Sequence, residues 1–146
     1  MCEIWTWQGD TSILPFKFES VLNNAVGNAD SFVGFSKQTF NHLELKKTYI
    51  EDKNFDPNGF FFITYRSHAI GLAMCHQNSQ GEWVIPFLTS EPKHYGKGVE
   101  ECLVNLVLRY LKEKNAGNIF VEVHPELLPS FKTQVKPILV KYGFQF

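Results

Sequence analysis

A change of apolar period near residue 99 constrains the fold of this chain more than any other feature. From Val99 to Leu111 the apolar residues recur three and four positions apart, as in a helix with one buried face. Gly117 is the predicted end of that helix. Hydrophobic runs at 82–89 before it and 119–123 after it are typical of buried strands. A strand, a long helix and a strand in this order predict a parallel crossover.

Upstream of this unit the sequence predicts an antiparallel meander. The turn sequence at 56–59 precedes a strand-like run at 60–65. A short turn leads to a second run at 69–75, and another turn leads to the run at 82–89. Strands joined by such short turns pair with their neighbours, so three antiparallel strands are expected.

The N-terminal part combines a strand and two helices. Cys2 to Gln8 alternates as a strand does, and apolar spacing predicts a short helix near 18–26. Ser36 is the predicted N-cap of a second helix. That helix would present one face carrying Phe40, Leu43, Lys47 and Ile50.

The C-terminal part predicts a last helix and a final strand. The helix carries an apolar stripe of Phe131, Val135, Ile138, Leu139 and Tyr142. Pro137 is expected to kink it, Gly143 to stop it, and 144–146 to begin a strand. The whole chain, 1–146, is then one α+β domain: a central mixed sheet, with an antiparallel meander and a parallel joint, flanked by about four helices.

Charge and cysteine content exclude several function classes. Lys and Arg number 14 and Asp and Glu 15, so the net charge of −1 disfavours a nucleic-acid binder. No apolar stretch approaches the ~20 residues of a membrane span, and the N-terminus lacks a signal-peptide pattern. The three widely spaced cysteines favour a reducing, cytoplasmic location, and the Cys and His spacing predicts no metal site.

The segment most informative about chemistry lies between the third meander strand and the long helix. It reads Pro-Lys-His-Tyr-Gly-Lys-Gly-Val over 92–99. Gly96 and Gly98 allow a ligand to approach the backbone, and the helix that follows presents free N–H groups and the positive end of its dipole. Together these features favour a phosphate or pyrophosphate site.

In this context the sequence resembles the GNAT superfamily of acyl-CoA-dependent N-acyltransferases. The family signature is Val-x-Pro-x-x-(Arg/Gln)-Gly-x-Gly-x-(Gly/Ala) before a Leu-rich helix, and 90–100 here reads Ser-Glu-Pro-Lys-His-Tyr-Gly-Lys-Gly-Val-Glu. The family's closing Gly-Phe pair is matched by Gly143 and Phe144. The resemblance is specific from about Gly59 to Phe146 and weak in the first 58 residues.

Two registers align the loop with the signature. One places Lys93 at the Arg/Gln position and Lys97 where the family buries an aliphatic residue. The other places Tyr95 at Arg/Gln, and Glu100 at the last small residue. It also matches the family's apolar positions with Val99, Leu103 and Val104. We prefer the second register because burial constrains the helix more than one loop side chain does, although Glu100 then adds negative charge beside the phosphate site.

The resemblance implies acetyl-CoA as the acyl donor. Its pantetheine arm would bond the strand backbone in a gap between the third meander strand and the next strand, and its pyrophosphate would bind the loop. The coenzyme-binding residues implied in this way are Leu88, Ser90, Tyr95, Gly96, Lys97, Gly98 and Val99. Pro86 cannot donate within a ladder, which favours a bulge or an unpaired edge where the gap is expected.

The resemblance also implies that an amine attacks the thioester directly. Glu82 stands at the offset of the base glutamate in the histone-acetylating branch of the family, and His124 is a second candidate base. The family's acid tyrosine is replaced by Leu139, so Tyr142, three residues later, is the candidate acid. The backbone N–H near Leu88 would face the oxyanion.

The acceptor would be a small-molecule or peptide amine. An aromatic acceptor pocket is one interpretation of Trp5, Phe32, Phe35 and Phe40. A homodimer is consistent with the resemblance, but no segment identifies an interface. Two alternatives stay open: a catalytically silent acyl-CoA-binding module of the same fold, and an unrelated α+β binding domain.

Overall fold

The computed structural model describes residues 2–6, 13–27 and 40–146, and within them a five-stranded sheet. The strands are β1 (Cys2–Thr6), β2 (Phe60–Tyr65), β3 (His68–Gln77), β4 (Trp83–Ser90) and β5 (Ile119–Val121). They lie in the order of the sequence, and every neighbouring pair is antiparallel except β4 and β5, which are parallel. The expected meander and parallel joint are confirmed.

Helices flank the sheet, as expected for an α+β fold. They are α1 (Leu14–Gly27), α2 (His42–Leu45) with a π-helical turn at Lys46–Ile50, α3 (Val99–Glu113), α4 (Leu128–Ser130) with a π-helical turn at Phe131–Val135, and α5 (Lys136–Lys141). Among the described residues no helix is both long and apolar enough to cross a membrane.

The sheet is buried on both faces, and β2 explains why its sequence is continuously apolar. Phe60 and Phe62 pack into a core with α1 and α2, whereas Phe61 and Ile63 pack into a second core with α3 and α5. All four side chains are nearly inaccessible to solvent. A strand covered on both sides needs no polar face.

Strand β4 contains a bulge at Ile85 and Pro86. The pairing of β4 with β3 shifts between Met74–Phe87 and His76–Val84, so β4 has one residue more than β3 in this interval. As a result Ile85 and Leu88, three residues apart, both pack into the core beneath α3. The sequence predicted an irregularity at Pro86, and the structure has it there.

The parallel joint between β4 and β5 is short. Its last residue pair is Ile85 and Val121, and the Glu122 N–H donates to the Ile85 carbonyl at 3.0 Å. Pro86, the next residue of β4, has no N–H to continue the ladder. The two strands therefore separate where Pro86 begins the second half of β4.

The long helix buries the expected face and ends differently. Val99, Leu103 and Val104 are at most 4% exposed, whereas Lys97 is exposed, which is the burial that the preferred register requires. Helix α3 ends at Glu113, and Asn115 takes the left-handed conformation with a φ of 54°. The prediction that Gly117 stops the helix was wrong by a few residues, because asparagine tolerates this conformation better than most residues.

The C-terminal strand predicted at 144–146 does not form. Gly143 ends α5 at a φ of +99°, and the Phe144 N–H donates to the Leu139 carbonyl at 3.1 Å. This is the hydrogen bond of a Schellman cap, and it directs Phe144 onto the core beneath α3. Pro137 lies in the first turn of α5, directly after the π-helical turn. The irregularity expected at this proline is thus a π-helical turn that precedes it.

Two N-terminal predictions need correction. Helix α1 begins four residues before the predicted start at residue 18, and α2 begins at His42 after an Asn41 cap. Phe40 thus precedes α2, and Leu43 is 65% exposed rather than on a buried face. Ser36, the predicted cap, lies outside the described residues.

Candidate functional site

The loop between β4 and α3 is a short turn followed by two glycines in left-handed conformations. Tyr95 N–H donates to the Pro92 carbonyl at 3.1 Å, and Lys97 N–H to the His94 carbonyl at 3.3 Å. Gly96 has a φ of 74° and Gly98 a φ of 88°. A Cβ at either glycine would meet nothing within 4 Å. Glycine is therefore required by the backbone conformation, and the space above the loop is open.

Gly98 is also the N-cap of α3, a helix of 15 residues. Gly96, Lys97 and Gly98 are all exposed, so the loop directly before the helix is accessible. The first N–H groups of a helix have no partner within it, and the helix dipole adds partial positive charge. The arrangement is suited to an anion, and Lys97 adds a full positive charge.

Glu100 does not project into this loop. Its side chain is 3% exposed and accepts a hydrogen bond from Ser90 Oγ at 2.8 Å. The carboxylate thus faces β4, in the first turn of α3, where the helix dipole favours a negative charge. The negative charge of Glu100 is thus directed away from a phosphate on the loop, because the side chain lies on the inner side of the helix.

The edge of β4 beyond Pro86 presents backbone N–H groups to the gap. Glu91 N–H donates to the Ile70 carbonyl of β3 at 2.8 Å. Hydrogen-bonded and non-hydrogen-bonded pairs alternate along an antiparallel ladder. Counting back from Glu91, Ser90 and Leu88 occupy non-hydrogen-bonded pairs. Their N–H groups point away from β3, towards the side on which β5 has already separated.

A cavity of about 170 Å³ opens at the same place. Its lining residues come from α2 and the segment before it, from β4 and from the end of β5. They are Phe40, Asn41, Glu44, Leu45, Thr48, Tyr49, Phe87 and His124. Phe87 adjoins Leu88 in β4, so the cavity lies beside the backbone edge that the gap exposes.

Aromatic rings form much of the cavity wall. The ring of Phe87 is 6.1 Å from that of Phe40 and 5.1 Å from that of Tyr49, and Phe40 is 4.7 Å from His124. The prediction of an aromatic pocket is met at Phe40. Phe32, Phe35 and the side chain of Trp5 lie outside the described residues.

Helix α1 holds the cavity wall in place. The Asn23 amide donates to the Phe40 carbonyl at 2.9 Å and accepts from the Phe40 N–H at 3.0 Å. Glu19 accepts from His42 Nδ1 at 2.8 Å. The segment entering α2 is thereby fixed at two points, and the position of the Phe40 ring follows from them.

Two carboxylates flank the cavity, and the sequence analysis named neither. Glu44 lines it. Glu122 follows β5 and lies close enough to Tyr49 for its charge to matter: burial first, and then the Glu122 charge, raise the pKa of the Tyr49 hydroxyl. Neither carboxylate forms an ion pair with any residue in the described parts of the chain. A charge between two valines, in a stretch that the sequence predicts as a strand, was the signal for Glu122.

The structure does not bring Glu82 to the cavity. Glu82 lies in the turn before β4, where its carboxylate accepts from the Asn78 amide at 3.0 Å. Six residues of strand separate it from Leu88, roughly 20 Å at ~3.3 Å per residue. Tyr142 is 40% exposed at the C-terminal end of α5 and does not line the cavity, while Leu139 is buried in the core beneath α3.

His124 lines the cavity. Its Nδ1 accepts the Glu126 N–H at 3.2 Å. A neutral imidazole that accepts at Nδ1 carries its proton on Nε2, so in that form the ring has no free acceptor nitrogen.

Comparisons with known proteins agree with this geometry. The sequence model described as the Acetyltransferase (GNAT) family matches residues 29–132, and comparison with curated protein sequences gave no match. The ribosomal-protein-alanine N-acetyltransferase from Escherichia coli superposes with a TM-score of 0.66 at 10% identity, over 99% of this chain and 78% of its own. A GNAT acetyltransferase from Staphylococcus aureus gives 0.67 at 9% identity, over 99% and 85%. A predicted acetyltransferase from Clostridium acetobutylicum, solved with acetyl-CoA, gives 0.61 at 17%, over 100% and 91%. At these identities the likeness is one of fold.

Proposed function

The chain belongs to the GNAT family of acetyltransferases, and from that premise we propose that it transfers an acetyl group from acetyl-CoA to a primary amine. One observation carries the proposal. The free edge of β4 begins after Pro86, borders the aromatic cavity at Phe87 and leads to the glycine loop that follows the strand. A donor on the loop and an acceptor in the cavity would meet at the gap between the strands.

The residues of the loop and of β4 suit this coenzyme. The open space above Gly96 and Gly98 leaves room for a pyrophosphate against the backbone. The Tyr95 and Lys97 N–H groups are used within the turn, so the N–H groups of Gly96, Gly98 and Val99 and the Lys97 ammonium would hold it. The N–H and carbonyl groups of Leu88 and Ser90 would bind the amides of the pantetheine arm. Bound acetyl-CoA supplies the thioester carbonyl that the amine attacks.

Glu122 is the base that we assign to this reaction. An alkylamine is protonated at neutral pH and must lose a proton before it can attack. Glu122 lies at the gap, carries no ion pair with a described residue and is near Tyr49 of the cavity wall. The Leu88 N–H, directed into the same gap, would donate to the oxygen that becomes negative in the transition state.

Departure of the thiolate needs no dedicated acid in this proposal. A thiol with a pKa near ~8.5 is a tolerable leaving group. Tyr142 is therefore not assigned a role, although it was the candidate from the sequence. The aromatic rings of Phe40, Phe87 and Tyr49 would exclude water from the acyl group and so limit hydrolysis.

A catalytically silent coenzyme-binding module is the second candidate. Leu139 favours it, because this buried leucine replaces the tyrosine from which the family's thiolate takes a proton. Both candidates require coenzyme binding, and only the first requires turnover.

Calorimetric titration with acetyl-CoA and with free CoA tests the coenzyme site first. Micromolar binding of both supports the loop assignment, and absence of binding at millimolar coenzyme overturns both candidates. Release of free thiol is then followed with acetyl-CoA and a panel of primary amines. Amine-dependent release supports the transferase, whereas tight coenzyme binding without release favours the silent module.

A further inference from the structure

The acceptor cavity has an unusual charge pattern for its size. Its walls are mainly aromatic and apolar, yet it adjoins two carboxylates that form no ion pair with any described residue. Glu44 lines it from α2, and Glu122 approaches it from the end of β5 through Tyr49. On the α2 side Lys46, which could neutralise Glu44, forms its ion pair with Glu51 at 3.8 Å instead.

The two carboxylates stand at different points along the cavity wall. Glu44 and Tyr49 are five residues apart on one helical segment, about 7.5 Å along its axis at ~1.5 Å per residue. Tyr49 is the cavity residue on which the Glu122 charge acts. The Glu122 carboxylate thus stands near the gap where the donor would bind, and the Glu44 carboxylate stands a helical turn or more away.

The cavity volume limits the ligand between them. About 170 Å³, at ~30 Å³ per water-sized group, holds about six non-hydrogen atoms. The rings of Phe40, Tyr49 and Phe87 offer apolar contact along a methylene chain and a favourable face to a cation. An acceptor carrying its own carboxylate near the amine would be repelled by Glu44.

We propose that the acceptor is a short aliphatic diamine, an inference that rests on the proposed function of the site. The ammonium near the gap gives its proton to Glu122, and the resulting amine attacks the thioester carbonyl. A carbon–nitrogen bond forms, the carbon–sulfur bond breaks, and the thiolate leaves with the electron pair and takes up the second proton that the nitrogen loses. The second ammonium keeps its proton throughout and binds Glu44 between the aromatic rings.

A matched pair of substrates tests this inference. With acetyl-CoA fixed, kcat/KM is measured for 1,4-diaminobutane and for butylamine, which has the same chain but one amine. We expect about a tenfold preference for the diamine, consistent with one exposed ion pair and one cation–π contact. Glu44→Gln should remove the preference by raising KM for the diamine more than KM for butylamine. Glu113→Gln, a similarly exposed charge change at the end of α3 on the other side of the sheet, should preserve it.

Failure of this inference is distinct from failure of the proposed function. Equal kcat/KM for both amines, or unchanged preference in Glu44→Gln, overturns the diamine assignment while turnover itself upholds the transferase. A stronger preference for the terminal amine of a short peptide also overturns it. If no amine is turned over, calorimetry on the CoA-loaded protein decides. Diamine binding that weakens in Glu44→Gln supports the inference, and absence of diamine binding overturns it.

Discussion

The loop before α3 and the cavity beside β4, the two halves of the proposed site, are built from different parts of the chain. The loop relies on backbone: two glycines with positive φ, a helix terminus, and N–H groups that any residue would supply. The cavity relies on side chains drawn from distant segments, among them Phe40, Glu44, Phe87 and His124. A site formed by backbone groups tolerates substitution of its side chains, whereas substitution in a site formed by side chains changes which ligand it binds. The first is suited to a constant coenzyme and the second to a particular acceptor.

The largest expected effect is on coenzyme binding at the loop before α3. Gly98→Asp adds a negative charge at the anion site and strains a φ of 88°, so coenzyme affinity should fall at least about 100-fold. Gly81→Asp is the matched control, because Gly81 has a φ of 78°, open space around it and a place in a remote turn. Calorimetry should find its coenzyme affinity unchanged. Equal losses in both variants would mean that strain, not the loop, governs binding.

The next effect separates chemistry from coenzyme binding. Glu122→Gln should lower kcat about 10²-fold, the usual contribution of a general base, with coenzyme affinity unchanged. Glu82→Gln should leave kcat within about twofold, since its carboxylate is held by Asn78 in a distant turn. Thiol-release kinetics measure both. A larger loss in Glu82→Gln would return the base to the residue that the family offset indicates.

Two adjacent residues of α1 offer a finer test, because each supports one half of the site. Asn23 bonds both backbone groups of Phe40, and Asn24 donates to Glu91 at 2.8 Å, just before the loop. Asn23→Ala should raise KM for the amine about tenfold, and Asn24→Ala should weaken coenzyme binding about threefold. Neither variant should change both the KM for the amine and the affinity for the coenzyme. Equal changes in these two quantities in either variant would indicate that the loop and the cavity are coupled through α1.

The smallest effect concerns the Tyr49 hydroxyl. Its pKa is raised above the ordinary 10.0, so above about pH 10 the unfolded chain releases a proton that the folded chain retains. The free energy of unfolding should therefore fall with pH from about 10 up to the folded pKa, by at most about 1.4 kcal/mol per pH unit. Denaturant titrations should give a shallower decline for Tyr49→Phe. Tyr110, whose pKa is also raised, is common to both proteins and cancels in the difference.

The difference between the loop and the cavity also explains which parts of the site could be predicted from the sequence. The loop was identified because its glycines and the following helix are contiguous, and the position of the bulge was identified because proline has no N–H. The cavity brings together residues up to 84 positions apart, from Phe40 to His124, and apolar periodicity carries no information about such distances. Only Phe40 among its lining residues was placed in an acceptor pocket.

The misplaced elements have local physical causes. The strand expected at 144–146 is absent because the Phe144 N–H closes the Schellman cap of α5. The prediction of Glu82 as the base used a spacing along the chain, which ignores the bulge and the turn that set where the carboxylate lies. Glu122 could have been found as the charged residue between Val121 and Val123, at the end of a strand predicted to lie beside the gap.

The extra residue in β4 determines how this strand responds to a change of length. Before the bulge one set of alternate positions faces α3, and after it the opposite set does, so Ile85 and Leu88 share a core while Phe87 faces the cavity. Deletion of Pro86 would place Ile85 alone opposite Cys75 and restore an even alternation, with Ile85 and Leu88 still facing α3 and Phe87 still facing the cavity. A regular strand that loses one residue turns every later side chain to the opposite face. The bulge therefore gives β4 a tolerance to the loss of one residue that a regular strand lacks.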